Sequence, residues 1–118
     1  MAELAVREMG DHGQPTIVFL HGVGNTGAMW RDLMAALAAY HCLAPDLPGH
    51  GASRAITWRS RADTAQRVAA LIEHRAANGR AHVVGLSLGG SVAIELLATR
   101  PDLLERVAST AAGRCRVP

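Results

Sequence analysis

The sequence predicts an α/β protein: a mostly parallel sheet with helices on both faces. Two observations carry this. Apolar, β-branched runs alternate with stretches of helical periodicity, and glycine-rich turns follow directly on the apolar runs. Ligands of such sheets bind beyond the carboxyl ends of the strands, where these turns would converge.

Leu4-Ala5-Val6-Arg7-Glu8-Met9 is short and only partly alternating, which suits an edge strand. Gly10-Asp11-His12-Gly13-Gln14-Pro15 is dense in turn formers and reads as a hairpin connection. It leads into Thr16-Ile17-Val18-Phe19-Leu20, a continuous apolar run expected of a strand buried on both faces. Trp30, Leu33, Met34, Leu37 and Ala38 then recur at helical spacing, giving a helix of about three turns with Trp30 and Met34 in the core. Leu43-Ala44 is a short strand before Pro45-Asp46-Leu47-Pro48-Gly49-His50-Gly51, whose prolines exclude a helix.

Asp63-Thr64-Ala65-Gln66 has the spacing of a capping box ahead of a stripe formed by Val68, Ala69, Leu71 and Ile72. Asn78-Gly79 ends that helix. Ala81-His82-Val83-Val84 is a further strand, and a helix from about Ser91 stops before Pro101. A last weak run begins at Arg106, and Ala111 to Pro118 lack strand character.

At 118 residues, with 49% hydrophobic and 19% charged residues, the chain suffices for one domain with a real core. A net charge of +2 gives no reason to expect a nucleic-acid partner, and the arginines from Arg54 to Arg75 read as a solvated face. All 12 basic residues are Arg, which excludes a lysine-bearing phosphate loop. Cys42 and Cys115 have no ligand-type spacing and are expected to be free thiols in a reducing compartment. No metal and no cofactor are expected. The charged N-terminus and the lack of a long apolar run predict a cytoplasmic protein without a membrane partner.

The chemistry centres on Gly85-Leu86-Ser87-Leu88-Gly89-Gly90, between a strand and a helix. A G-x-S-x-G turn puts its serine on a sharp bend, while the flanking glycines let strand and helix backbones approach. Together with Leu20-His21-Gly22-Val23-Gly24 and Asp46-Leu47-Pro48-Gly49-His50-Gly51, in this order, it resembles the α/β-hydrolase superfamily. The likeness is greatest to its small esterase, enol-lactonase and carboxylesterase members. It runs from about Ala5 to about Ala108.

The resemblance implies a carboxylic ester or lactone as substrate, with Ser87 as nucleophile and the N–H groups of Val23 and Leu88 as the oxyanion hole. His21, Gly22, Gly24, Gly85 and Gly89 would shape the supporting loops. In the family, the acid and the histidine follow the serine in the chain. All six histidines here precede Ser87, and the acidic residues after it are Glu95, Asp102 and Glu105, far from the bend.

Residues 1–118 are therefore expected to form a single truncated domain, the N-terminal part of the three-layer fold, lacking its C-terminal strands and cap. It would be inactive alone, and His50 is the foremost upstream substitute for the base. The alternative reading is a non-catalytic remnant or binding module with the same fold. An exposed sheet edge would favour self-association or pairing with a complementing C-terminal half. These motifs do not separate hydrolase from acyltransferase chemistry.

Overall fold

A computed structural model describes residues 3–111 and 114–116, with side chains through Thr110. Six strands form one sheet in the order β1-β3-β2-β4-β5-β6. They are β1 (Val6–Gly10), β2 (Thr16–Leu20), β3 (His41–Pro45), β4 (Ala81–Leu86), β5 (Leu104–Ala111) and β6 (Arg114–Arg116). The middle four run parallel, and β1 and β6 pair antiparallel at the two edges. The mostly parallel sheet expected from the sequence is present.

Strand side chains alternate between two cores, as period two requires. Val18, Leu20, Leu43 and Val83 meet Val68 and Ile72 of α2 (Arg61–Arg75) and Val92 and Leu96 of α3 (Leu88–Thr99). On the other face, Phe19, Cys42 and Ala44 enclose Met34 of α1 (Arg31–Ala36), with Trp30 and Leu37 packed alongside. Met34 is a core residue as expected, whereas Trp30 is partly buried at the edge of that core, its ring 5.3 Å from that of Phe19. Cys42 is a free, buried thiol, and the Cys115 side chain lies outside the described residues.

Several expectations are corrected. The Gly10–Pro15 segment is no hairpin connection, because β2 is flanked on both sides by parallel neighbours and β1 pairs with β3 instead. The helix after Gly27 is shorter than its periodicity suggests. A 3₁₀ turn at Gly27–Trp30, capped by Thr26, precedes six α-helical residues. Helix α2 starts earlier than the capping box implied. Ser60 is its N-cap, its Oγ accepting from the Asp63 amide at 2.9 Å, while Asp63 itself pairs with Arg67. The tail includes β6, so β5 carries a partner on its outer edge. The arginines of α2 are not simply solvated: Arg61, Arg67 and Arg75 pair with Glu95, Asp63 and Glu8.

Asp46, just past β3, holds this part of the chain together. Its buried carboxylate accepts from the Gly27 amide at 2.7 Å, the Ala52 amide at 2.9 Å and the Arg7 guanidinium at 2.6 Å. Burial alone would raise its pKa, but the three donors outweigh burial and hold it below the usual carboxylate range. A carboxyl group depressed in the folded state stabilises above its unfolded pKa and loses that contribution as pH falls through the folded value. Urea unfolding should therefore show stability falling below about pH 4, with a smaller fall in Asp46→Asn. At neutral pH, Asp46→Asn should cost about 3 kcal/mol, because an amide N–H₂ faces donors there.

Candidate active site

Helix α3 enters the sheet over the carboxyl end of β4, and glycines set how close it comes. A side-chain carbon on Gly89 would overlap the Leu20 carbonyl of β2, and one on Gly85 would overlap the Gly89 carbonyl. Neither position admits a larger residue without moving backbone. The chain must then turn from strand to helix within one residue, and Ser87 takes that turn at φ +56° and ψ −112°. A non-glycine residue pays for such a conformation, on the order of 1–3 kcal/mol. Two hydrogen bonds hold it: the Ser87 amide donates to Thr110 O of β5 at 2.6 Å, and its carbonyl accepts from the Ser91 amide at 3.0 Å.

The Ser87 side chain is exposed, and the Leu88 amide is the first of α3. The opening amides of a helix have no acceptor within it and carry partial positive charge. The loop after β2 lies against the serine, with Gly22 placed so that a Cβ there would contact Ser87 Cβ at 3.6 Å. The Gly22 carbonyl accepts from the Asn25 amide at 3.1 Å, and Gly24 sits at φ +75° in the third position of this turn. Val23 is 71% exposed at its tip.

His21 is buried and fully committed. Its Nε2 accepts from the Leu47 amide at 3.0 Å, so Nδ1 carries the proton and donates to Gly22 O at 2.7 Å. Its carbonyl accepts from the Gly89 amide at 3.0 Å, which joins the loop to α3. Burial, the largest influence, lowers the pKa of this imidazole and keeps it neutral. His21 thus braces the loops after β2, β3 and β4 at once.

His50 stands beside it, with ring centroids 5.0 Å apart, and donates from Nδ1 to Pro48 O at 3.0 Å, leaving Nε2 as its open nitrogen. The other sequence candidates lie elsewhere. Glu95 pairs with Arg61, Asp102 with Arg100 and Glu105 with Arg80. His41 is buried in β3 between Thr16 and Glu8, away from Ser87. No described histidine or carboxylate bonds the Ser87 hydroxyl. Among the described residues, no helix is long and apolar enough to cross a membrane.

The model of the Alpha/beta hydrolase family matches residues 17–117. An AB hydrolase superfamily protein of Gibberella zeae is 42% identical over 92 residues, which are 76% of this chain and 33% of that protein. Lipase LipV of Mycobacterium tuberculosis is 39% identical over 101 residues, 85% of this chain and 38% of the lipase. Other relatives carry the names esterase and haloalkane dehalogenase. A hydrolase of Pseudomonas aeruginosa superposes with a TM-score of 0.78 at 32% identity, covering 88% of this chain and 40% of its own. The chain thus spans about two fifths or less of the length of these proteins. Matched by the family model over all but its first 16 residues and its last, the chain belongs to the alpha/beta hydrolase family.

Proposed function

We propose that this chain carries the nucleophile and oxyanion-binding part of a serine hydrolase acting on a carboxylic ester or lactone. One observation carries the reading. Ser87 is exposed on a strained bend between the end of β4 and the N-terminus of α3, with the Gly22 backbone against it. Strain at such a residue is tolerated where it aims a working group.

In this reading, Ser87 Oγ attacks the carbonyl carbon of the substrate, and its proton passes to a base. The leaving alkoxide takes up that proton, and water then cleaves the acyl-serine to release the acid and restore the hydroxyl. For a lactone, alcohol and acid remain on one molecule. The charge developing on the carbonyl oxygen falls to the N–H groups of Val23 and Leu88. Peptide planarity supports the Val23 assignment. Because the Gly22 carbonyl is engaged by Asn25 and His21, the N–H of the same peptide points away from them. One such donor is worth about 10²- to 10³-fold in rate.

The base and its acid are assigned to residues beyond those described, from a longer chain or a complementing one. His21 cannot serve, since both ring nitrogens are occupied. His50 retains an open Nε2 and is the internal substitute. That no described histidine bonds the Ser87 hydroxyl supports a second reading, a fold kept for binding without catalysis.

A chimera decides between them. With this chain replacing the matching 38% of Lipase LipV, aryl-ester hydrolysis and fluorophosphonate labelling should appear and should vanish in Ser87→Ala. The isolated chain should turn over at least about 10⁴-fold more slowly. A folded but inert chimera would support the binding reading. Isolated-chain activity lost in both Ser87→Ala and His50→Ala would make His50 the base.

A further inference from the structure

At the opposite end of the sheet from Ser87, the start of β3 meets the end of β1. His41 pairs across the sheet with Gly10 on one side and Thr16 on the other. Its ring is buried, and His12, from the exposed turn after β1, stacks on it with centroids 4.8 Å apart. Glu8 completes the group. Its Oε2 lies 2.5 Å from His41 Nε2 and 3.5 Å from His12 Nε2.

We propose that Glu8, His12 and His41 bind a divalent transition ion of the Zn²⁺ type, which clips β1 and the turn after it to β3. One ligand atom from each residue lies within 4.8 Å of the others. Ligands at 2.0–2.1 Å around a tetrahedral ion stand about 3.3 Å apart, so Glu8 must withdraw slightly from His41 while His12 closes. The exposed turn gives His12 that freedom. Two imidazoles and a carboxylate suit Zn²⁺, and the remaining coordination position is left for water.

The surroundings already hold two of the ligands in place. Thr16 Oγ1 lies 2.9 Å from His41 Nδ1 and accepts from the Ala77 amide at 2.8 Å. A hydroxyl oxygen has two lone pairs, so it can also accept the Nδ1 proton, which leaves the Nε2 lone pair for the ion. Arg75 bonds the other carboxylate oxygen, Oε1, at 2.8 Å, which orients Glu8 and restricts it to one ligand atom. The guanidinium opposes a cation nearby, so the two histidines must supply most of the affinity.

The test is titration of the whole chain with Zn²⁺ against a competing chromophoric chelator. Thermal melting and the visible absorption of the Co²⁺ form would be followed in parallel. One equivalent should bind and raise the melting temperature by a few degrees. Affinity should fall at least tenfold in His12→Ala, whose exposed side chain can be removed without opening the core, and in Glu8→Gln. It should be unchanged in His74→Ala, an exposed histidine on α2. No uptake at micromolar Zn²⁺, or uptake unchanged by His12→Ala in folded protein, would overturn the proposal and leave a hydrogen-bonded Arg75-Glu8-His41 chain.

Discussion

Helix α3 rests on the sheet at a distance that leaves no room for side chains at Gly85 and Gly89, and the geometry around Ser87 descends from that contact. If strand end and helix start are held in backbone contact, the single residue joining them cannot adopt an ordinary conformation. Ser87 bears the cost, and what it gains is an exposed hydroxyl beside the first amide of α3. The cost is met by interactions made elsewhere: Val92, Ala93 and Leu96 of α3 are buried in the larger core, and Thr110 of β5 ties down the serine amide. Strain at one position is affordable where a well-packed helix holds both sides of it.

The loops around the serine are joined by polar groups that are themselves buried. His21 links the turns after β2 and β3 through its ring and reaches α3 through its carbonyl. Asp46 binds the Gly27, Ala52 and Arg7 donors. These residues touch no reacting atom in the proposed mechanism. They position the backbone that does, and the neutral state of His21 suits a bracing role.

The bend at Ser87 was legible in the sequence because its causes are local: strand, glycine, serine, glycine and helix follow one another within a few residues. The two other loops were legible for the same reason, through glycine and proline clusters after apolar runs. What escaped depends on pairing. Nothing local marks the surroundings of His41 until β1 and β3 are placed side by side and Glu8, 33 positions away, meets its ring. The connection at Gly10–Pro15 has the composition of a hairpin, and only the burial of β2 between two parallel neighbours denies it. At α2, capping patterns overlap, and the one at Ser60 prevails, placing Thr64 and Ala65 in the buried face of the helix. Periodicity could not show that the helix near Trp30 begins as a tighter turn.

Ser87 is held in a conformation that a side chain resists. Urea unfolding of Ser87→Gly against Ser87→Ala isolates that term, since both variants lose the hydroxyl and only glycine relieves the backbone. Relief of 1–3 kcal/mol, less the 0.4–1 kcal/mol that glycine adds to the freedom of the unfolded chain, predicts Ser87→Gly more stable by about 1 kcal/mol. A more stable Ser87→Ala would mean that the bend is not strained and would remove the basis for reading it as an active-site elbow.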